Sequence, residues 1–209
     1  MISKPKLNLS PEELEHHGIM KRFYNATFES IEAQGVPSSI RTQYEQIKSY
    51  AAELEHNIAI GKGLILCGPY GTMKTTIAIA LLRKHLEHSN SGLFVPMCSL
   101  IDDLYTRRAK SIEDWANYEQ RIRTTKLLVL DDIGAENTDQ SWILSKVDSI
   151  ITERYNRMKP IIITSNLLPF STDKNEKTLK NTYGGRVFDR LRSTSTLVIF
   201  SGKSLRKTM

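Results

Sequence analysis

The chain has 209 residues, 40% hydrophobic and 25% charged, with a formal net charge of +6. That length and balance suit one soluble globular domain with a sizeable core, and the sequence shows no internal repeat and no low-complexity segment. Two cysteines imply no disulfide framework, and the positive charge admits either a polyanionic partner or a merely solvated basic surface.

No apolar run reaches the length of a membrane span, and Met1-Ile2-Ser3-Lys4-Pro5 lacks the apolar core of a secretion signal. A cytoplasmic setting with no membrane partner is expected. No Cys/His cluster has metal-ligand spacing, and His16 and His17 are expected on the surface of a polar helix.

In chain order, Ser10-Pro11-Glu12-Glu13 is a helix start, with a serine N-cap, proline at the first position and Glu13 at the capping-box position. Residues 19–36 read as an irregular connector anchored by Phe23, Phe28 and Ile31. A helix follows from Pro37-Ser38, with the stripe Ile40, Tyr44, Ile47, Ala51, Leu54 and Ile58. Leu64–Cys67 is a buried strand, and a helix runs from the residues after it to about His88. Leu93–Val95 is a second strand. Two helices, Leu100–Arg108 and Ile112–Arg123, break near Ser111. Leu127–Leu130 is a continuous apolar run, as expected of a strand covered on both faces. Helix 142–155, strand Ile161–Thr164, helix Gly185–Leu191 and strand Thr196–Phe200 complete the chain. Five strands alternating with helices predict an α/β fold with a mostly parallel sheet.

The chemistry gathers at strand ends. Gly68-Pro69-Tyr70-Gly71-Thr72-Met73-Lys74-Thr75-Thr76 follows the first strand and opens a helix. This is the layout of a phosphate-binding P-loop, in which backbone N–H groups and a helix N-terminus surround the phosphates. Lys74 would reach the β- and γ-phosphates of ATP, and Thr75 would ligate Mg²⁺. The pattern G-x-x-x-x-G-K-[ST] is met except at Met73, where glycine is expected. Asp131 and Asp132 end the apolar run at Leu130. Asp131 would hold Mg²⁺, and Asp132 would orient or deprotonate the attacking water. Asn166, after the fourth strand, could hold that water or sense the γ-phosphate. Arg186 and Arg190 share one helix face, and one of them could be an arginine finger for a neighbouring subunit. Arg206 follows the last strand. Plainer readings stand beside these: turn glycines, a strand-ending acidic turn, an asparagine turn and a solvated helix face.

These stretches together resemble the AAA+ ATPase domain of the DnaC/DnaI helicase-loader family, which includes the IstB transposition helpers. The likeness is carried by Arg22-Phe23, Asn25-Ala26-Thr27-Phe28, the P-loop, Leu127–Glu136, Arg154-Tyr155, Ile163–Asn166 and Arg186–Leu191. It implies a P-loop NTPase with five strands and a minimal C-terminal lid, over residues 37–209, preceded by a helix and connector at 1–36. It implies Asn166 as sensor I, Arg190 before Arg186 as the finger, and Arg206 as a sensor II arginine at the nucleotide. It also implies ATP-dependent self-assembly, single-stranded DNA as a partner and a hexameric replicative helicase as cargo. Loaders carry a helicase-binding region before this core. Here residues 1–21 precede the match, so the expectation is a trimmed chain or a short relative that docks differently. A transposase-helper ATPase and a weakly hydrolysing binding module are the alternatives.

Residues 97–126 suit the family's helical insertion. Arg107, Arg108, Lys110, Arg121, Arg123 and Lys126 lie there, interleaved with Tyr105, Trp115 and Tyr118. Basic groups with aromatics suit single-stranded DNA, and a solvated helix pair with core aromatics is the plainer alternative.

Overall fold

The computed structural model describes residues 9–89, 91–134, 141–173 and 175–205. Five strands form a parallel sheet: β1 (Gly63–Cys67), β2 (Gly92–Pro96), β3 (Leu127–Asp131), β4 (Ile161–Ser165) and β5 (Ser195–Ile199). Their order is β2-β3-β4-β1-β5. The apolar runs divide by the two-residue period of a strand. Leu64, Leu66, Leu127, Val129 and Ile162 face one buried cluster, and Ile65, Cys67, Leu128, Leu130, Ile161 and Ile163 face the other. Helices therefore cover both faces, as the unbroken apolar runs require.

The first cluster is closed by α1 (Pro11–His16), α2 (Phe28–Ala33), α3 (Arg41–Ala52), α4 (Leu54–Ala59) and α5 (Lys74–Leu86). The α2 helix replaces the expected irregular connector. Its cap is Thr27, which pairs reciprocally with Ser30 rather than with the Glu or Gln of the usual capping box. Phe28 and Ile31 are buried in the same cluster as the sheet. The stripe from Ile40 to Ile58 is buried as read, but its helix breaks at Glu53. There the buried Asn57 amide donates to the Tyr50 carbonyl at 3.1 Å, satisfying a backbone group at the end of α3.

The second cluster is covered by α6 (Met97–Lys110), α7 (Ile112–Thr124), α8 (Ser141–Asn156), α9 (Leu179–Tyr183) and α10 (Gly185–Ser193). Arg154 on α8 is fully buried and ties this layer together. Its Nη1 donates to the carbonyls of Ile122 and Thr125, and its Nη2 to that of Pro160. Two of these acceptors belong to the end of α7, where helix carbonyls lack partners of their own. Burial pushes this guanidinium down to about 9.

His17 does not lie on the surface. It is 5% exposed, with Nδ1 2.8 Å from the Gly92 carbonyl. Its own carbonyl accepts from Phe94 N at 2.8 Å. The segment thus lies along the outer edge of β2 and satisfies backbone groups that would otherwise be open. Gly18 (φ 80°) permits that approach, since a Cβ there would fall 2.2 Å from the Phe94 carbonyl oxygen. Among the described residues no helix is long and apolar enough to cross a membrane.

Burial, opposed by the Gly92 carbonyl, holds the His17 pKa below 6.5. The unfolded chain therefore binds a proton more readily, and His17 favours the fold fully above about pH 6.5 and loses that contribution as pH falls through the native value. Denaturant titrations from pH 8 to pH 5 are expected to show stability falling below about pH 6.5, with a shallower fall in His17→Asn, which keeps a side-chain donor without titrating.

Candidate nucleotide site

Parallel β1, β4 and β3 lie side by side and end together, so the loops that follow them share one edge of the sheet. The register pairs Cys67 with Ser165, and Leu130 with Ile163. The first polar side chains beyond the core therefore meet at this edge.

The loop after β1 is shaped by close approach. Gly68 has φ 135°, and a Cβ there would lie 2.4 Å from the Phe200 carbonyl oxygen. Gly71 has φ 75°, and its Cβ would strike the Ser204 side chain. The Gly71 carbonyl accepts from Leu205 N at 2.9 Å, which laces the segment after β5 to the loop. Met73 adopts the left-handed conformation, φ 69° and ψ 9°, immediately before α5. The loop does demand a glycine-type angle here, and methionine takes it at the strain expected of an L-residue. Its side chain packs against the buried cluster of the first layer.

Lys74 opens α5 and is 6% exposed. Its ammonium donates to the carbonyls of Gly68 (2.8 Å) and Pro69 (2.7 Å), to Thr72 Oγ1 (3.3 Å) and to Asn166 Oδ1 (3.0 Å). The amide of Asn166 in turn donates to Asp132 Oδ1. Ammonium can only donate and carboxylate only accept, so both neighbours demand this orientation of the amide. Asn166 thus joins the loop lysine to the second carboxylate.

Asp131 accepts from Thr164 Oγ1 at 2.6 Å, and the same Thr164 oxygen accepts from Asp132 N at 2.9 Å. The Thr75 hydroxyl lies near enough to Asp131 to favour its charged form. Burial raises the Asp131 pKa, opposed by the two threonine hydroxyls and by Lys74, with Asp132 adding to the rise. Asp132 is itself left-handed, φ 58°.

These groups line a cleft of about 860 Å³. Tyr70, Gly71, Thr72, Met73, Lys74, Thr75, Thr76, Asp131, Asp132 and Asn166 line it, so the structure brings together most of the expected loop and carboxylate residues. Arg22, Phe23, Gln34 and Pro37, with Leu205, line the same cleft. Sequence reasoning gave those N-terminal residues no role at the site. The available signal was Arg22-Phe23 at the head of an apolar-anchored segment. The donor set fits a magnesium triphosphate: a buried ammonium beside a loop with two positive-φ glycines, and a threonine and a carboxylate lining the same cleft.

Other expected residues lie apart. Arg186 and Arg190 stand on α10, which leads into Ser195 at the start of β5. Ser195 pairs with Gly63, at the far end of β1 from the loop. Arg206 lies outside the described residues, as does the Arg108 side chain. Arg107 stacks over Tyr118, 4.4 Å from the ring centroid, and Tyr118 OH donates to Asp103. Arg121 donates to the His16 carbonyl at 2.6 Å. Lys110 is exposed. Arg123 departs from the expected basic stripe. Its guanidinium, 11% exposed, binds Glu119 and Glu153 and joins α7 to α8. Trp115 and Tyr118 pack against the second cluster rather than standing free between the basic groups.

A parallel sheet in this strand order, with a phosphate-type loop after β1 and an acidic pair after β3, defines an AAA+ P-loop nucleotide-binding domain. A family model described as IstB-like ATP binding protein matches residues 24–209, and the chain belongs to that family. It is 27% identical over 169 residues to the replicative helicase loader DnaI of Bacillus subtilis, covering 76% of this chain and 51% of DnaI. It is 30% identical over 147 residues to the insertion sequence IS21 putative ATP-binding protein of Pseudomonas aeruginosa, covering 69% and 52%. The chain thus spans about half the length of these curated relatives. The crystal structure of the DnaC helicase loader superposes with a TM-score of 0.71 at 25% identity, covering 87% of this chain and 100% of that one. AMPPCP-bound DnaA from Aquifex aeolicus shares the fold, with a TM-score of 0.62 at 18% identity, covering 84% and 50%.

The angles at Met73 yield a stability test. Glycine would relieve a strain of about 1 kcal/mol but lose the methionine packing and gain unfolded-state entropy, so Met73→Gly is expected to stay within about 1 kcal/mol of the parent. A β-branched side chain resists this conformation, so Met73→Val is expected to cost about 1–2 kcal/mol. Urea titration of the three proteins measures both differences.

Proposed function

We propose that this chain is an ATP-hydrolysing assembly factor that engages single-stranded DNA and delivers a hexameric replicative helicase. The observation that carries the hydrolytic part is the continuous polar chain Lys74–Asn166–Asp132, in a cleft that Thr75 and Asp131 also line. Loop amides and Lys74 bind the phosphates, with Lys74 exchanging the Gly68 and Pro69 carbonyls for anionic phosphate oxygens. Thr75 and Asp131 would hold Mg²⁺, which supplies charge neutralisation of the phosphates when bound. Asp132, steadied by Asn166, orients the attacking water and takes its proton. The water oxygen bonds the γ-phosphorus, the bond to the bridging oxygen breaks, and ADP leaves.

Arg190 acts in trans in this reading. The residues after it enter the sheet at the end away from the chain's own P-loop. The five-residue strand between these ends spans roughly 15 Å, more than the arginine side chain can bridge. A neighbouring copy's nucleotide is the reachable target. Helicase delivery is supported by the likeness to DnaI and DnaC, and DNA engagement by the net charge of +6 and the basic residues of α6. Arg107, Arg108 and Lys110 are assigned to the strand. The helper role in transposition remains a second reading, because IS21-type ATP-binding proteins match at 30–31% identity. Capture of a replicative helicase rather than a transposase from the native host separates the two.

Lys74→Ala removes at least two charge-assisted hydrogen bonds to phosphate. At about 1.5 kcal/mol each, ATP affinity is expected to fall about 100-fold by calorimetric titration, with circular dichroism unchanged. An unchanged affinity would overturn the nucleotide assignment. For DNA, changing Arg107 and Lys110 to Ala is expected to flatten the log–log salt dependence of oligonucleotide binding by about one unit. An unaltered slope in fluorescence anisotropy would remove α6 from the DNA contact.

A further inference from the structure

Two helices meet away from the nucleotide cleft in an arrangement that the hydrolytic reading leaves unused. On α8, Asp148, Thr152 and Tyr155 follow helical spacing and share one face. On α10, Arg186 and Arg190 do the same. Arg190 Nη1 donates to Thr152 Oγ1 at 2.6 Å and to Asp148 Oδ1 at 3.3 Å, and its guanidinium carbon lies 5.9 Å from the Tyr155 ring centroid. Thr152 Oγ1 donates to Asp148 Oδ1 at 2.9 Å, which orients the carboxylate. Arg186 takes the other carboxylate oxygen, Oδ2.

We infer that Asp148 is a positioning residue, which sets Arg190 on the face of α10 for use by an adjoining subunit. The inference rests on the in-trans reading of Arg190 and extends it to the groups behind that arginine. Three physical points carry it. First, Asp148, Thr152 and Tyr155 engage the guanidinium through one nitrogen and one ring face. Among the described residues, hydrogen bonds reach the Arg190 guanidinium only at Nη1, so the donors on Nη2 and Nε stay open to a phosphate oxygen. Second, the arginine is 24% exposed, against 71% for Arg186, so its long side chain is already ordered before any partner arrives. Ordering in advance lowers the entropic cost at the moment of binding. Third, a lone carboxylate beside a finger would repel a triphosphate. Arg186 supplies the second positive charge, so the cluster of two arginines and one carboxylate carries a net +1. This gives Arg186 a distinct task as counter-charge, and accounts for two arginines on one helix face. Although burial opposes it, the Thr152 hydroxyl and the two arginines hold the Asp148 carboxyl below its usual range, so the charge is present at neutral pH.

Subunit mixing tests the inference. One full-length variant, the acceptor, carries Arg190→Ala and keeps its P-loop. The other, the donor, carries Asp132→Asn and keeps Arg190. Neither hydrolyses ATP alone, and co-assembly is verified by size-exclusion chromatography with ATP. Turnover is expected to recover at interfaces that join an intact P-loop to an intact finger. Asp148→Asn is then added to the donor or to the acceptor. In the donor it is expected to cut the recovered turnover about tenfold, since the arginine is no longer pre-ordered. In the acceptor, whose Arg190 is absent, it is expected to change nothing. A purely architectural role would damage both arrangements alike, and thermal melts of each protein report any loss of fold. Recovery that is equal with and without Asp148→Asn in the donor, or equally reduced in both arrangements, overturns the inference while leaving Arg190 in trans. No recovery in a co-assembled mixture overturns the in-trans reading, and the inference with it.

Discussion

The position of β4 between β1 and β3 governs the rest of the molecule. All three strands are parallel and buried on both faces, so their side chains must be apolar along the strand and can turn polar only at the end. Cys67-Gly68, Asp131-Asp132 and Ser165-Asn166 are where that happens. Because the strands run in one direction in register, three unrelated polar endings arrive at the same edge. Ion chemistry is confined to one place by the need to keep it out of the core.

Within that edge the cost of burial dictates the hydrogen bonding. An ammonium at 6% exposure needs partners, and Lys74 finds loop carbonyls, Thr72 and Asn166. Asp131, at 8% exposure, is answered by two threonine hydroxyls. The same rule operates far from the cleft, where Arg154 reaches three carbonyls and, among the described residues, no carboxylate. Its partners are helix-end and strand-start carbonyls, so it fastens α7, α8 and β4 together. Nucleotide chemistry and architecture here follow one rule, a buried charge held by hydrogen bonds, though Arg154 Nε finds no partner among the described residues. They differ in that the cleft is lined by reactive groups at the strand ends, while Arg154 is wholly buried between elements.

Left-handed backbone outside glycine occurs among the described residues at Met73, Asp132 and Met158. Two of the three flank the cleft. Each costs free energy that surrounding structure must supply: α5 and the first-layer cluster at Met73, and the Thr164 hydroxyl on the amide of Asp132. In this backbone the loop lysine and the second carboxylate both reach Asn166. A methionine at a glycine position is therefore compatible with the loop geometry: its side chain packs against the first-layer cluster, and the residue still lines the cleft.

Periodicity and punctuation made the five strands, most helices and the loop, carboxylate and asparagine residues legible in the sequence, since apolar strands, glycine turns and terminal polar residues are local signals. The capping box at Thr27 used serine in place of glutamate, so α2 escaped that reading. Long-range partners were not legible at all. His17 is buried because β2 has a free edge in need of cover, and Arg123 is held by Glu153, a residue of another helix. Charge composition alone made Arg123 look like a companion of Lys110. The same holds for Arg22, Phe23 and Gln34 in the cleft wall, and for Asp148 behind Arg190. Spacing along the chain carries the period of a helix or a strand. Which faces meet is set by burial and by the pairing of charges across elements, and those contacts exist only once the layers have closed.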